Sequence, residues 1–404
     1  MSFSRLYLSI EESATLAITK KVRALNEQNA NSVIGLTLGE PDFDTPTHVK
    51  NAAKSALDKN ITHYPPVAGI MELRKAVAEK LQSQNNLPYT PQNIIVSSGA
   101  KQSIFNVCNA LINPEDEAIL PAPFWVSYSE ILKIAGAKVI EVEANIDQAF
   151  KITPEQLEAA ITPKTKLLLF STPSNPTGSM YSHAELAGLV KVLEKYPQIY
   201  IITDEIYEYI WFEQKHVSIA TFPSVFERCV VINGFSKGFA MTGWRLGYMA
   251  AANKELVYLC EKVQGQVTSG ANSIAQMAGI AALREDMACV EEMREKFRQR
   301  RDSMFAQLTA ISGLKTILPD GAFYFYPDIS YFLGKKTPNG DVINEVDELC
   351  LYLTECGVAL VPGSAFGTQH HVRISYAYSQ TTLDEGRGSA CACRPPWRPD
   401  RDQG

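Results

Sequence analysis

The stretch Ile94-Ile95-Val96-Ser97-Ser98-Gly99 is a short apolar run that ends in two serines and a glycine, and an amphipathic segment follows it to Leu111. This order predicts a strand, a turn and a helix. Similar apolar runs alternate with helical segments along the chain, at 118–120, 138–142, 166–171, 199–203, 229–232 and 247–251. Several runs lack in-out alternation, which is typical of strands buried on both faces of a mostly parallel sheet. The sequence therefore predicts a large doubly wound α/β domain.

The pattern changes after Gly270. Residues 272–284 and 290–308 predict long helices, 347–356 a shorter one, and 372–376 a strand. Gly321-Ala322-Phe323-Tyr324-Phe325-Tyr326 alternates as a half-exposed strand would. We expect a smaller α+β domain to which both chain ends contribute, including a helix at 14–25. The predicted division is 1–45 for the N-terminal arm and part of the small domain, 46–285 for the large domain, 286–383 for the small domain and 384–404 for an atypical tail.

Composition excludes several classes of protein. The chain has 404 residues, of which 46% are hydrophobic and 20% charged, as in ordinary globular proteins. A net charge of −6 without any basic block argues against nucleic-acid binding. No signal peptide or membrane helix is recognisable, so we expect a cytoplasmic protein that does not bind membranes. Scattered cysteines predict free thiols rather than a metal site, at 108, 229, 260, 289, 350 and 356.

Gly234-Phe235-Ser236-Lys237-Gly238 and the residues to Tyr248 surround one lysine and one arginine with small and apolar residues. Burial disfavours the charged form of a lysine, which would make the Lys237 amine available as a nucleophile toward an aldehyde. Arg245, eight residues later, is suited to binding a phosphate. On its own, such a lysine is more often a surface residue.

Two further segments lie where predicted strands end. These are Ser174-Asn175-Pro176-Thr177-Gly178 and Asp204-Glu205-Ile206-Tyr207. The carboxyl ends of parallel strands build ligand sites in α/β proteins. Taken singly, the first segment could simply form a turn, and the second could be the end of a strand that happens to carry an acidic residue.

In this order and spacing, the three segments resemble the class I and II aminotransferases of pyridoxal-phosphate fold type I, and most closely their bacterial aspartate and prephenate subgroup. The resemblance covers about residues 13–383. Supporting motifs are Ser13-Ala14-Thr15, Leu38-Gly39-Glu40-Pro41-Asp42-Phe43, Tyr64-Pro65-Pro66, Phe124-Trp125-Val126-Ser127-Tyr128 and Gly321-Ala322-Phe323-Tyr324. It implies an enzyme that depends on pyridoxal 5′-phosphate, acts on amino acids and 2-oxo acids, and forms a homodimer with shared active sites.

The resemblance assigns roles residue by residue. Lys237 corresponds to the lysine that forms the Schiff base and moves the substrate proton. Asp204 corresponds to the carboxylate that keeps the pyridine nitrogen protonated. Tyr207 and Asn175 correspond to partners of the ring 3-oxygen, and Trp125 to the aromatic residue stacked on the ring. Core packing is the alternative role for Trp125.

The phosphate would be bound where a helix begins. Tyr64 corresponds to a tyrosine that reaches the site from the partner subunit, although interface packing is the alternative. The other residues assigned to cofactor binding are Gly99, Ala100, Lys101, Ser236 and Arg245.

Substrate binding is also implied by the resemblance. Arg373 corresponds to the arginine that binds the α-carboxylate, beside the backbone of Gly39, with Trp125 and Asn175 nearby. An exposed arginine would be its alternative role. In the resembled subgroup, Lys101, Ser13 and Thr15 bind the distal carboxylate, and residues 265–269 contain no arginine that could replace them. The backbone alone of Lys101 could instead serve the phosphate.

Aspartate, with glutamate and 2-oxoglutarate as the second couple, is therefore the predicted substrate. Prephenate ranks second, because Glu11 and Glu12 stand where prephenate-competent relatives tend to carry basic residues. Two other functions stay open: another pyridoxal-phosphate reaction such as a lyase, and a sensor domain of a transcriptional regulator. Only about a dozen residues precede Ser13, too few for a helix-turn-helix module of that kind. Residues 386–404 contain no Val, Ile, Leu, Met or Phe, which predicts a disordered or replaced terminus.

Overall fold

The computed structural model describes residues 3–28 and 33–385. In these ranges the helices are α1 (Arg5–Leu8), α2 (Ala14–Gln28), α3 (Thr47–Asp58), α4 (Met71–Asn85), α5 (Ala100–Leu111), α6 (Ser127–Ala135), α7 (Pro154–Ala160), α8 (His183–Leu193), α9 (Lys254–Val267), α10 (Ser273–Arg284), α11 (Ala288–Thr309) and α12 (Val346–Glu355). The strands are β1 (Ile34–Gly35), β2 (Ile94–Ser97), β3 (Glu117–Ala122), β4 (Lys138–Glu143), β5 (Thr165–Ser171), β6 (Tyr200–Asp204), β7 (Cys229–Gly234), β8 (Gly247–Ala251), β9 (Tyr324–Phe325), β10 (Lys335–Lys336), β11 (Val342–Ile343), β12 (Val358–Ala359), β13 (Val361–Pro362) and β14 (Val372–Ser375).

The main sheet of the described chain has seven strands in the order β2-β8-β7-β6-β5-β3-β4. Strands β4, β3, β5, β6 and β7 pair in parallel, whereas β8 is antiparallel to both β7 and β2. Strands β2, β7 and β8 are buried along their whole length, and only the edge strand β4 alternates with exposed residues. The predicted doubly wound, mostly parallel sheet is confirmed.

Helices cover both faces of this sheet. On one face, α3, α4, α8 and α10 pack over residues such as Cys229 and Val231 of β7. On the other face, α5, α6 and α9 pack over Val230 and Ile232 of the same strand. Because successive side chains of a strand point to opposite faces, an unbroken apolar run is required where both faces are covered.

A second core is built by α11, α12 and the short sheet β13-β14-β9. The amino-terminal part of the chain joins it, because β1 pairs in parallel with β12. Helix α2 also packs there, with Val22 against Val33 and Ala359. The structure therefore contains the predicted α+β unit built from both ends, while the exact boundaries at 46 and 286 stay a prediction.

The predicted half-exposed strand at 321–326 is wrong. All six residues are buried, and only Tyr324–Phe325 pairs as a strand. Alternation failed to predict exposure because both faces are covered. Phe323 and Phe325 stack on Phe297 and Phe305 of α11. On the other face, Tyr324 packs on Tyr207 and Tyr326 on His371.

The predictions for the cysteines, for membrane helices, for cellular location and for the tail have different outcomes. The structure confirms free thiols at Cys108, Cys229, Cys260, Cys289 and Cys350. The prediction for Cys356 is wrong, because this residue is disulfide-bonded. Disulfide pairing cannot be deduced from the sequence alone. No helix within the described ranges is long and apolar enough to cross a membrane. The cytoplasmic location stays a prediction, and residues 386–404 of the predicted tail lie outside the described residues.

Close packing between β8 and the start of α5 gives a first prediction. A Cβ at Gly247 would lie 2.3 Å from the Ala100 nitrogen, whereas a Cβ at Gly243 would meet nothing within 4 Å. Gly247→Ala should therefore lower the free energy of unfolding by about 2 kcal/mol or more, while Gly243→Ala should change it by less than about 0.5 kcal/mol. Thermal and urea unfolding check both variants, and equal stabilities would contradict the packing argument.

Candidate active site

The polar segments found in the sequence meet at one edge of the main sheet. Asp204 is the last residue of β6, Asn175 follows β5, and Lys237 follows β7. Parallel strands end at the same edge, so these residues converge there. Strand β8 runs the opposite way and begins at this edge, and it thereby brings the preceding Arg245 to the same place.

A cavity of about 300 Å³ lies at this edge. Its lining contains most of the predicted site residues, namely Ser13, Thr15, Gly39, Ala100, Lys101, Trp125, Asn175, Asp204, Tyr207, Ser236, Lys237, Arg245 and Arg373. Two predicted residues lie outside the lining, Gly99 directly before α5 and Tyr64 on the surface. The structure thus brings together residues from both cores in a single concave site.

Lys237 is half-buried in this cavity. Its Nζ donates a hydrogen bond to the carbonyl oxygen of Gly39 and lies 5.8 Å from the centre of the Tyr207 ring. Burial lowers the pKa of Lys237 to about 8, an effect opposed by the negative charge of Glu40. A substantial fraction of neutral amine is therefore present near neutral pH, which a nucleophilic lysine requires.

Asp204 is buried below the same cavity. Its Oδ2 accepts a hydrogen bond of 2.7 Å from Tyr128 Oη, and its Oδ1 accepts one of 3.2 Å from the Ile206 amide. Burial raises the pKa of Asp204 to about 6, while these two donors act in the opposite direction. A cationic or N–H partner placed in the cavity would complete the coordination of this carboxylate.

Helix α5 begins at the opposite side of the cavity, with Ala100 and Lys101 in the lining. Gly99 precedes it with φ +90°, and a Cβ there would lie 2.5 Å from Arg245 Nη2. Glycine is favoured because a φ of +90° is strained for any other residue, and the missing side chain lets the Arg245 guanidinium approach this backbone. The amino end of this 12-residue helix, together with the guanidinium of Arg245, suits an anion such as a phosphate.

Arg373 reaches the cavity from β14 and is only 1% exposed. Its Nη1 donates to Asn175 Oδ1 at 2.9 Å and its Nη2 donates to the Thr37 carbonyl oxygen. Among the described residues, none accepts a hydrogen bond from its Nε. An arginine that is buried without a carboxylate partner favours an anionic ligand.

Tyr207 and Trp125 occupy the walls of the cavity. Tyr207 Oη shares a 2.7 Å hydrogen bond with Tyr324 Oη. Trp125 packs edge to face on Tyr128 with ring centres 5.3 Å apart, and Lys101 Nζ lies 4.8 Å from the Trp125 ring centre. Burial lowers the pKa of Lys101, as does the nearby positive charge of Arg245. Lys101 thus adds a positive charge to a cavity lining that also contains Lys237, Arg245 and Arg373.

Sequence reasoning missed several residues of the site. Tyr128 has a detectable signal, since it follows Trp125 by three residues and forms a turn with it. Glu40 adjoins the predicted Gly39. The sequence gives no comparable signal for Tyr324, whose contact with Tyr207 joins two distant parts of the chain. The missed lining residues are Leu16, Leu38, Glu40, Ser127, Tyr128, Ser171 and Ile206.

Known proteins share this fold over nearly the whole chain. A family model described as aminotransferase class I and II matches residues 31–388. An aspartate/prephenate aminotransferase from Cereibacter sphaeroides is 44% identical over 386 residues, which cover 95% of each chain. The crystal structure of the aspartate aminotransferase from Rhizobium meliloti superposes with a TM-score of 0.94 at 41% identity and covers 98% of this chain and 99% of its own. That of Thermus thermophilus aspartate aminotransferase with maleate has a TM-score of 0.91 at 40% identity, covering 97% and 100%.

The fold and the lysine site define a group-transfer enzyme of the α/β class. The chain belongs to the class I and II aminotransferases. Proteins of this family generally depend on pyridoxal 5′-phosphate.

The hydrogen bond from Tyr128 to Asp204 yields a second prediction. Tyr128→Phe removes a donor to the ionised carboxylate and should raise the pKa of Asp204 above about 6. The pKa of Asp204 in the folded protein already exceeds its pKa in the unfolded chain. The unfolded chain therefore loses this proton at a lower pH, and the free energy of unfolding falls as pH rises toward the pKa of the folded protein. The variant's deficit in unfolding free energy should therefore grow between about pH 5 and pH 8 in protein freed of small ligands.

Thermal unfolding across this pH range measures the deficit. Tyr181→Phe is the matched control, because the hydroxyl of this buried tyrosine accepts a hydrogen bond from the Ile152 amide rather than donating to a carboxylate. Its deficit should not change with pH. A pH-independent deficit for Tyr128→Phe as well would contradict the assigned role.

Proposed function

We propose that this protein binds pyridoxal 5′-phosphate and transfers the amino group between L-aspartate or glutamate and a 2-oxo acid, 2-oxoglutarate or oxaloacetate. The observation that carries the proposal is that a half-buried lysine, Lys237, and a buried arginine, Arg373, which has no carboxylate partner among the described residues, line the same cavity. The reaction needs an amine that reacts with an aldehyde and a planar guanidinium group that binds a carboxylate.

The residues present fit the cofactor. Lys237 supplies an amine with a lowered pKa, and Asp204 supplies a buried carboxylate that forms no salt bridge within the part of the chain that the structure describes. The start of α5 with Arg245 suits a phosphate, and the glycine at 99 leaves room for that arginine. When bound, the pyridine ring would accept the electron pair released at the substrate Cα.

The chain's own residues then perform defined tasks. Arg373 binds the α-carboxylate and orients the amino acid beside Lys237. Lys237 Nζ would take up the proton from the Cα of the amino donor in one half-reaction and supply a proton to the Cα of the new amino acid in the other, a task suited to its pKa of about 8. Asp204, held by Tyr128, stabilises positive charge at the base of the cavity. Amino donor and 2-oxo acceptor occupy the same cavity in turn, which gives ping-pong kinetics.

An acidic substrate is supported by a further cation in the lining. Lys101, Ser13 and Thr15 line the same cavity, so one positive charge and two hydroxyl groups are available for a distal carboxylate. Maleate, a dicarboxylate, accompanies the similar Thermus thermophilus enzyme in its crystal structure. These observations favour aspartate over an apolar amino acid.

Prephenate is the second candidate, since the similar protein from Cereibacter sphaeroides is named for both substrates. In this chain Glu11 and Glu12 are exposed close to Ser13, and the Glu11 amide donates to Glu130 at 3.1 Å. Exposed carboxylates at positions 11 and 12 offer no positive charge to the carboxylate on the ring of prephenate. We therefore rank aspartate first.

A homodimer with shared sites is part of the proposal. Tyr64 is 94% exposed in the single chain, although its loop is fixed by bonds from Gln264 to Val67 and from the Val96 amide to Ala68. Val267, in the same helix as Gln264, is also exposed. An ordered loop that presents an aromatic residue to solvent is suited to an interface.

The third prediction tests the activity. Purified protein should be yellow and should transfer the amino group of aspartate to 2-oxoglutarate faster than that of glutamate to prephenate. Lys237→Ala should lower kcat by about a thousandfold or more, whereas Lys254→Ala, an exposed lysine at the start of α9, should leave it unchanged. Steady-state rates with each pair of substrates provide the measurement. Colourless protein that cannot be reconstituted would refute the proposal, and faster prephenate turnover would reverse the ranking.

The fourth prediction tests the shared site. Lys237→Ala and Tyr64→Ala subunits, co-expressed with different affinity tags, should form heterodimers with one intact site and about half the wild-type activity at limiting cofactor. In the matched control, Lys237→Ala is paired with Arg373→Ala, and no site is intact if both residues act within their own subunit. Equal activities of the two heterodimers would contradict a role for Tyr64 in the partner's site.

A further inference from the structure

Asp42 and Arg300 form a bidentate ion pair outside the cavity. Arg300 lies on α11 and donates from Nη1 to Asp42 Oδ1 at 2.6 Å and from Nη2 to Asp42 Oδ2 at 2.9 Å. Their side chains are only 11% and 25% exposed. Two parallel bonds to a mostly buried guanidinium restrict the position of Asp42, itself partly exposed to solvent, more than a single bond would.

Aromatic packing reinforces this contact. Phe43 packs edge to face on Phe297 with ring centres 5.3 Å apart, and the guanidinium of Arg300 lies 4.9 Å from the Phe43 ring centre. Asp42 and Phe43 are therefore both attached to α11. This segment has no helix or strand of its own, so side-chain contacts have to fix it.

The segment leads directly into the cavity. Gly39 and Glu40, which line the cavity, are separated from Asp42 by Pro41 alone. The proline ring fixes its own φ and restricts the residue before it, so a shift of Asp42 is transmitted to Gly39. Gly39 in turn accepts the hydrogen bond of Lys237 and has no room for a side chain, because a Cβ would lie 2.6 Å from Tyr324 Oη.

Other contacts attach the ends of this segment to different parts of the molecule. Before it, the Leu38 amide donates to Tyr378 Oη at 3.2 Å. After it, Thr45 Oγ1 donates to the Ala240 carbonyl at 2.7 Å and accepts from Trp244 at 2.9 Å, both in the loop that carries Lys237. The pair with Arg300 is the charged contact between these two attachments.

We propose that Asp42 and Arg300 are positioning residues, which hold Gly39 and Glu40 where the substrate α-carboxylate binds and thereby set the affinity for substrate. The inference rests on the proposed function, because it assumes a carboxylate between Gly39 and Arg373. Neither residue touches the substrate, so their effect should fall on binding and not on retention of the cofactor.

Asp42→Asn is the decisive variant, since it keeps the shape and removes the charge. The probe is maleate, a dicarboxylate without an amino group, whose binding to the yellow holoenzyme is followed by the change in visible absorbance. We expect the Kd for maleate and the KM for aspartate to rise about tenfold, with the bound-cofactor absorbance, the thermal midpoint and kcat close to wild type. Arg298→Gln, an exposed arginine of α11 paired with Glu295, is the matched control and should behave as wild type.

A double-mutant cycle with Arg300→Gln separates positioning from general destabilisation. If the pair acts as a unit, Asp42→Asn/Arg300→Gln should bind maleate no more weakly than the weaker of the two single variants. Hydrogen exchange gives a readout without ligand: the Gly39 and Glu40 amides should exchange faster in Asp42→Asn and not in Arg298→Gln.

Unchanged maleate binding by Asp42→Asn, additive effects in the cycle, or a loss of affinity that only parallels loss of cofactor would each overturn the positioning role. Failure of the proposed function looks different, because wild-type protein would then not bind maleate at all or would not turn over aspartate. Normal wild-type binding with an unaffected variant refutes the positioning role alone.

Discussion

The amine of Lys237, half-buried in the cavity, is the constraint on which the arrangement of the site depends. A charged amine out of water is costly unless polar groups surround it. Its hydrogen-bond acceptor is a main-chain carbonyl, that of Gly39, which comes from the amino-terminal part of the chain. The chemical state of the lysine is therefore tied to the position of a segment far away in sequence, and Tyr324 fixes that segment by leaving room only for glycine.

Charge in the cavity is opposite in sign to the charge of the whole chain. The protein has a net charge of −6, yet the described lining carries Lys101, Lys237, Arg245 and Arg373 against only Glu40 and Asp204. A cationic cleft in an anionic protein concentrates small anions at the cleft, since low-dielectric walls focus the field. Anions that neutralise these cations also stabilise the folded state, because they bind only when the strands have brought the charges together.

The sequence was most informative where function and local structure coincide. The strands that end in Asp204 and Ser171, and the segment with Lys237, were predicted in type and place because a buried strand followed by polar residues is a local pattern. Contacts between distant segments were not predictable in this way. The bond between Tyr128 and Asp204 and the pair of Asp42 with Arg300 depend on packing that no periodicity encodes. The error at 321–326 has the same origin, because alternation says nothing about a second covering layer.

The antiparallel pairing of β7 with β8 has a consequence for the order in which the site can assemble. Gly234 and Gly247 are directly opposite each other, so the loop that carries both Lys237 and Arg245 is closed by neighbouring strands. A short loop costs little chain entropy to close, and contacts that are local in sequence form early. The amine and the anion-binding arginine thus belong to one local folding unit. Arg373 joins them from a strand much further along the chain, so bringing this arginine to the cavity costs more chain entropy than bringing Arg245 there.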